Sequence, residues 1–239
     1  MSGSSEALLP LGFRFFVLAV ALAAGCGQQE PAPGPSGGPE WAAEPASGGA
    51  VVPDLDARPV LVAFGDSLTA GHRVGSDETY PAFLQKELDR RGIEFRVVNE
   101  GVSGDTTARA LSRVDTVLAH NPAWVVLALG ANDGLRGLPL DAMERNLGRM
   151  IARLEEGGAE VFLAGMMLPR NYGPDYVRQF EAVYPRLAEE HGLSLLPFLL
   201  ENVAMVRELN NRDGIHPNGK GNEVVARQVA DAFERLVGE

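Results

Sequence analysis

The chain has 239 residues, of which 22% are charged and 45% hydrophobic, values typical of a globular protein. Its formal net charge of -11 argues against a nucleic-acid partner, because phosphate binding needs clustered Lys and Arg. The single cysteine, Cys26, excludes an intrachain disulfide, and the four scattered histidines show no spacing typical of a structural zinc site. We therefore expect neither nucleic acid nor a metal to take part in its function.

A short apolar run, residues 15–25, follows Arg14 near the start of the chain. Its eleven residues are too few to cross a bilayer core, which needs about 20, but they fit a secretory signal. The sequence Ala23-Ala24-Gly25-Cys26 that follows resembles a bacterial lipobox, with Ala23 where Leu is usual. We expect a lipoprotein signal peptide over residues 1–25, a lipid anchor at Cys26 and export to the periplasmic or cell-surface side. Gly27, after the cysteine, is compatible with anchoring in an outer membrane.

The next segment is rich in Pro, Gly, Ala and Glu and has almost no hydrophobic periodicity. Such a composition cannot bury enough apolar surface to fold. Residues 26–57 are therefore predicted to be the lipidated cysteine followed by a disordered tether. The remaining residues, 58–239, are enough for one well-buried core, and we expect them to form a single domain that acts as a monomer.

Five short apolar runs recur in this domain, separated by segments with helical patterns. The runs cover residues 60–64, 95–99, 124–129, 161–165 and 193–197. Most are rich in Val and Leu and several are continuous rather than alternating, which is typical of strands buried on both faces of a parallel sheet. Helices are predicted over residues 79–91, 106–120, 141–156, 174–191 and from 218 onward. This alternation predicts an α/β fold, a three-layer doubly wound sandwich around a five-stranded parallel sheet.

Polar motifs follow the apolar runs, and the active site of a doubly wound sheet lies at the carboxyl ends of its strands. The first run ends in Gly65-Asp66-Ser67-Leu68, and a serine at a tight strand-to-helix turn can expose its hydroxyl. Taken alone, this tetrapeptide is weak evidence, because most such sequences only cap a helix. After the second run the chain turns at Gly104, whose amide either faces the site or belongs to a plain helix-capping loop.

The later motifs supply an amide and an acid–base pair. The third run is followed by Gly130-Ala131-Asn132-Asp133. Its asparagine can donate to an oxyanion while the adjacent carboxylate orients it, although a simple polar turn is the alternative. The last motif is Asp213-Gly214-Ile215-His216. Histidine is a suitable general base near neutral pH, and an aspartate three residues earlier can fold back to orient its ring.

Taken together and in this order, the four motifs resemble those of the SGNH hydrolase family, whose blocks contain GDS(L), Gly, GxND and DxxH. The resemblance covers about residues 59–236 and implies a flavodoxin-like fold and a serine hydrolase that needs no cofactor. It implies that Ser67 is the nucleophile and that Asp213 and His216 complete a catalytic triad. It also implies an oxyanion hole formed by Ser67, Gly104 and Asn132.

A narrower resemblance links the chain to the periplasmic acyl-CoA thioesterase, lysophospholipase and arylesterase subgroup, on residues 130–137, 168–173 and 213–218. In that subgroup the segment after the fourth strand is a mobile loop over the acyl site. The resemblance implies hydrolysis of a small-molecule or lipid acyl ester or thioester through an acyl-enzyme. Two alternatives stay open: a carbohydrate O-acetylesterase with the same motifs, and a non-catalytic surface lipoprotein on the same fold.

The segment after the fourth run contains apolar side chains suited to such a loop. Met166, Leu168, Pro169 and Tyr172 provide adaptable apolar surface and are expected to bind the substrate. The alternative is that they only pack in the core or in an interface.

Overall fold

The computed structural model describes residues 56–238 of the chain. The predicted signal peptide, Cys26 and the predicted tether up to residue 55 lie outside the described residues. Their assignments therefore stay predictions, as does the monomeric state. None of the helices within residues 56–238 combines the length and the hydropathy needed to span a bilayer.

Among the described residues, five parallel strands form one sheet in the order β2-β1-β3-β4-β5. They are β1 (Val60–Gly65), β2 (Arg96–Gly101), β3 (Pro122–Ala128), β4 (Glu160–Ala164) and β5 (Ser194–Leu196). Strand β1 is buried along its whole length, whereas β2, at the edge of the sheet, is mostly half-buried. Each predicted apolar run contains part of a strand, and the five-stranded parallel sheet is confirmed.

Nine α-helices accompany the strands within residues 56–238. They are α1 (Ser67–Ala70), α2 (Tyr80–Arg91), α3 (Thr107–Leu111), α4 (Val114–Leu118), α5 (Ala131–Leu135), α6 (Leu140–Glu156), α7 (Pro174–Glu181), α8 (Val183–His191) and α9 (Gly219–Val237). Helix α2 packs against α9 on one face, while α6 packs against α3, α4 and α8 on the other. The chain runs from β1 to β2 on one side and then to β3, β4 and β5 on the other, which places helices on both faces of the sheet, and the three-layer α/β fold is confirmed.

The predicted helix over residues 106–120 is two short helices, α3 and α4. Between them Arg113 leaves the helical conformation, with φ -118° and ψ 16°. Its guanidinium donates to the Gly65 carbonyl at 3.0 Å and to Asp105 Oδ2 at 2.7 Å, and it lies over the Phe64 ring. These contacts with the end of β1 and with the loop after β2 explain why the chain does not continue as one helix.

The predicted helix over residues 174–191 is also divided, into α7 and α8. Helix α7 ends at Glu181 and α8 begins at Val183. Pro185 follows two residues later and has no N–H to donate to the carbonyl four residues before it, that of Glu181. The missing backbone hydrogen bond explains the position of the break.

Side chains cap the starts of α2 and α9, whereas the start of α6 has no side-chain cap. The side chains of Thr79 and Asn218 accept hydrogen bonds from backbone amides at the starts of α2 and α9. Asp141, the first residue of the helix predicted over residues 141–156, lies in the first turn of α6, where it pairs with Arg145. The cap position there is Pro139, which makes no side-chain hydrogen bond.

The carboxyl ends of β1 and β3 lie next to each other at one edge of the sheet. The chain crosses to opposite sides of β1, and such a switch in strand order opens a crevice between neighbouring strand ends. Helix α1 lies so close to β2 that a Cβ on Gly101 would be 2.1 Å from the Ala70 amide nitrogen; glycine is required there for steric reasons. Two short helices, α1 and α5, present Ser67 and Asn132 at the crevice. The sequence indicated a strand-to-helix turn at Ser67, but for Asn132 it left a simple polar turn open.

Candidate active site

Ser67, His216 and Asp213 lie in one line of hydrogen bonds at this crevice. Ser67 Oγ is 2.9 Å from His216 Nε2, and His216 Nδ1 is 3.1 Å from Asp213 Oδ2. Ser67 comes from the start of α1, while the other two come from the loop before α9, so the fold joins residues 149 positions apart. In this arrangement the ring can accept the serine proton while Nδ1–H donates to the carboxylate.

The Asp213 carboxylate is held by its own loop. Asp213 Oδ1 accepts the backbone N–H groups of Ile215 and His216, each at 3.1 Å. Burial raises the pKa of Asp213, but the hydrogen bonds from these amides and from the His216 ring outweigh it, and the pKa lies below its ordinary value. The carboxylate is therefore charged at neutral pH and can accept the Nδ1–H of His216.

Asn211 attaches this loop to the segment after α1. Its side-chain amide donates to the His72 carbonyl at 3.1 Å and to the Pro217 carbonyl at 3.2 Å. Its backbone N–H donates to the His216 carbonyl at 2.8 Å. Sequence reasoning missed Asn211, because an asparagine in a loop carries no periodicity or motif that indicates its partners.

Asn132 and Gly104, the predicted oxyanion donors, are connected through Arg136. Arg136 Nη2 donates to the Gly104 carbonyl at 2.9 Å and lies 3.5 Å from Asn132 Oδ1. Asn132 Nδ2 donates to Asp66 Oδ2 at 3.1 Å. An asparagine amide has two N–H bonds, so one is left for a ligand. Gly104 has φ 82°, a conformation that favours glycine.

The residue that orients Asn132 differs from the one predicted. Asp133, the adjacent carboxylate, accepts hydrogen bonds from the Thr107 amide at 2.8 Å and from the Thr107 hydroxyl at 2.7 Å. It therefore fixes the start of α3 and does not orient Asn132. That role belongs to Asp66, which the sequence suggested only as a helix-capping residue.

Asp66 is a buried carboxylate shared by two helices. Its Oδ1 accepts the Leu68 amide at 3.0 Å, which caps α1, and its Oδ2 accepts the Asn132 side chain of α5. Burial raises the pKa of Asp66 to about 6, although both hydrogen bonds act in the opposite direction. The nearby carboxylates of Asp105 and Asp133 contribute a smaller part of this rise.

A cavity of about 590 Å³ opens beside Ser67, a size usual for small-molecule sites. Its walls are mainly apolar and come from α1, α5 and the segments that follow β4 and β5. Met166, Leu168 and Pro169 are among the lining residues. Tyr172 is not among them, and its hydroxyl donates instead to the Leu135 carbonyl at 3.0 Å.

His72 is a second histidine at the site. Its ring lies against that of His216, with centroids 4.4 Å apart and an angle of 41° between the planes. One ring nitrogen of each histidine and a carboxylate oxygen of Asp213 all lie within 4.8 Å of one another. The sequence, in which the histidines are far apart, predicted no such group.

Comparisons with known proteins identify the family to which the chain is similar. The model of the GDSL-like lipase/acylhydrolase family matches residues 63–224. The esterase TesA of Pseudomonas aeruginosa is 42% identical over 158 residues, which are 66% of this chain and 79% of that protein. Thioesterase 1/protease 1/lysophospholipase L1 of Escherichia coli K12 is 38% identical over 178 residues, 74% of this chain and 84% of that one. A crystal structure of TesA matches with a TM-score of 0.71 and 39% identity, covering 74% of this chain and 99% of its own.

The raised pKa of Asp66 predicts how stability depends on pH. The pKa of Asp66 is about 6 in the folded protein and lies above the ordinary value of 3.8, so its protonated form stabilises the fold, and this stabilisation is fully present below the pKa of the unfolded chain. This contribution, on the order of 3 kcal/mol, is lost as the pH rises through 6. The free energy of unfolding of wild type should therefore fall relative to that of Asp66→Asn as the pH rises from about 4 to about 7. Urea denaturation of both proteins across this pH range measures the difference.

The matched control is Asp77→Asn, because Asp77 is exposed. Its free energy of unfolding should follow that of wild type at every pH. If Asp66→Asn also followed wild type across this range, the carboxyl would be titrating at its ordinary pKa.

Proposed function

The chain belongs to the GDSL-like lipase/acylhydrolase family and is a serine ester hydrolase, and we propose that it cleaves acyl esters and thioesters with Ser67 as its nucleophile. The observation that carries the proposal is the contact of Ser67 Oγ with His216, itself backed by Asp213, at the mouth of an apolar cavity. No metal or organic cofactor is needed for this chemistry.

The reaction proceeds in two halves. His216 takes the Ser67 proton as Oγ attacks the carbonyl carbon, and the oxyanion is held by the amides of Ser67 and Gly104 and by the Asn132 side chain. His216 then protonates the leaving alcohol or thiol, which leaves an acyl-enzyme. Water gives its proton to His216, hydrolyses the acyl-enzyme and restores the Ser67 hydroxyl. The charged Asp213 keeps the proton of the neutral ring on Nδ1, so that Nε2 is free to act as the base.

Two charged residues position the oxyanion donors without touching the substrate. Ionised Asp66, the main form above its pKa of about 6, can only accept, so the Asn132 group that faces it is the amide nitrogen. Arg136 donates only, and it lies on the oxygen side of the same amide as well as on the Gly104 carbonyl. Together they determine which way the Asn132 amide is turned before the substrate binds, as electrostatic preorganisation requires.

The shape of the cavity favours an acyl chain over an acetyl group. Its apolar walls, which include Met166, Leu168 and Pro169, can bury a hydrocarbon chain at about 0.8 kcal/mol per CH₂. An acetyl group would leave most of this space unfilled, which disfavours the carbohydrate O-acetylesterase alternative. The binding-only alternative has no support in the relatives, which are named as enzymes.

We propose further that the enzyme works outside the cytoplasm as a monomer attached to a membrane through lipid on Cys26. The apolar run before that cysteine, the lipobox-like residues around it and the Pro- and Gly-rich segment after it support the proposal. Acyl chains on the cysteine would hold the enzyme at a bilayer, the outer membrane where the cell has one. The domain beginning near residue 58 would then reach lipid esters.

A fluorophosphonate probe tests the assignment of the nucleophile. The probe should form a single adduct on Ser67, and none in Ser67→Ala or His216→Ala, because only a serine with a general base attacks phosphorus readily. Intact mass and peptide mapping measure the adduct. An adduct on another serine, or none on folded protein, would exclude Ser67 as the nucleophile.

Asn132→Ala should lower kcat by about 10²–10³, the usual effect of losing one oxyanion donor. Asn132→Asp should be at least as slow, because it keeps the shape of the side chain but replaces a donor by an acceptor. Steady-state kinetics with one ester measure both, with circular dichroism as the control for folding. A wild-type kcat in either variant would remove Asn132 from the oxyanion hole.

The length of the acyl chain separates the two hydrolase alternatives. We expect kcat/KM to be higher for a medium-chain p-nitrophenyl ester than for the acetate, because the longer chain fills the cavity. Ala204→Leu, which adds bulk to the cavity lining, should lower the rate with the longer ester more than the rate with the acetate. A preference for acetate in the wild type would favour the O-acetylesterase.

A further inference from the structure

His72 has no part in the mechanism proposed above, yet its imidazole lies against that of His216. We propose that His72, Asp213 and His216 form a binding site for a divalent transition metal such as Zn²⁺, and that the bound metal reversibly stops the enzyme. The binding site follows from the geometry alone. The inhibition rests on the proposed function, because it requires His216 to be the general base.

The three side chains are close to the spacing that a metal needs. Ligand atoms around tetrahedral zinc, at bonds of about 2.0–2.1 Å, are roughly 3.4 Å apart. His216 Nδ1 and Asp213 Oδ2 are already 3.1 Å apart, and all three ligand atoms are within 4.8 Å of one another. His72 is half-buried, so a modest rotation of its side chain can close the remaining distance.

The donor set selects the kind of metal. Two imidazoles and one carboxylate are suited to Zn²⁺ and Cu²⁺, whereas Mg²⁺ and Ca²⁺ prefer oxygen ligands only. Three protein ligands also leave the fourth position of a tetrahedral zinc ion for water. The Asp213 side chain is 26% exposed and that of His216 is 17% exposed, so the ion can enter from solvent.

A metal ion bound at this site would shift the proton of the neutral His216 ring from Nδ1 to Nε2. In the working enzyme Nδ1–H donates to Asp213 and the Nε2 lone pair accepts the Ser67 proton. A metal bound through the Nδ1 lone pair leaves the single proton of the neutral ring on Nε2. The proton moves between the two nitrogens through solvent, with no net release. The ring then donates to Ser67 Oγ and cannot deprotonate it, so the attack on the substrate stops.

One neighbouring cation opposes the metal. Arg73 Nη1 is 3.9 Å from Asp213 Oδ2, and its charge repels a dication at the site. Arg73 is exposed and has φ 62°, a conformation that asparagine tolerates well. Replacing it with Asn should therefore strengthen zinc binding without backbone strain, the opposite effect to that of removing His72.

The experiment is a zinc titration of the purified protein, read by calorimetry and by ester hydrolysis, with each variant compared with its own rate without zinc. Wild type should bind one zinc ion, lose activity in parallel and recover it with EDTA, while Mg²⁺ should have no effect. His72→Phe keeps an aromatic ring against His216. It should raise the zinc concentration for half-inhibition by roughly tenfold or more, because the loss of even an outer-shell partner usually weakens metal binding by about that factor. Arg73→Asn should lower that concentration.

The matched control is His191→Gln. His191 also lies near a carboxylate, that of Glu155 at 3.8 Å, but it is next to the amino end of β5, at the opposite edge of the sheet. Its zinc response should equal that of wild type. Near-ultraviolet circular dichroism shows whether His72→Phe is folded, and His72→Gln serves as a second variant if it is not.

The possible outcomes separate this proposal from the one before it. Equal zinc binding and inhibition in wild type and His72→Phe, or no zinc binding by wild type, would overturn the metal site. Neither result affects the labelling of Ser67 in zinc-free buffer. Conversely, a protein that binds zinc through His72 but never labels at Ser67 would retain the metal site and lose the proposed hydrolase mechanism.

Discussion

The two oxygens of the Asp66 carboxylate hold together the two helices on which the site is built. One oxygen caps α1, which presents Ser67, and the other accepts the Asn132 amide of α5. The carboxylate thus determines how Ser67, the proposed nucleophile, is placed relative to Asn132, a proposed oxyanion donor. Burial of the charged carboxylate is unfavourable, as its raised pKa shows. The fold therefore loses some stability at this position, while the side chains of the polar site are held in fixed positions.

The elements of the fold could be predicted from sequence where burial alone determines them. Continuous apolar runs indicated the five strands because a parallel sheet is covered on both faces. The break between α3 and α4 could not be predicted in this way. It depends on Arg113 reaching the Gly65 carbonyl, a contact that exists only after β1 and β2 have paired. The break before α8 could have been predicted, because Pro185 is present in the sequence and a proline interrupts the hydrogen bonds of a helix.

The residues of the candidate site also differ in how far the sequence predicts them. Ser67, Asp213 and His216 lie in short contiguous motifs, so the sequence indicates their chemistry even though the fold must bring them together. Arg136 and His72 act through neighbours that are remote in the sequence, and neither spacing nor periodicity reports such contacts. Asp66 stands within the first motif, but its contact with Asn132 depends on the pairing of β1 with β3.

The loop before α9 contains both Asp213 and His216, the proposed acid–base pair. Asp213 accepts both the ring of His216 and the backbone amides of residues 215 and 216, so the geometry of the pair is set within four consecutive residues. Gly214 and Ile215 of this loop also line the cavity, but most of the apolar wall comes from the segments that follow β4 and β5. A substitution in the segment after β4 can therefore change the space for the substrate while the proposed acid–base pair keeps its geometry.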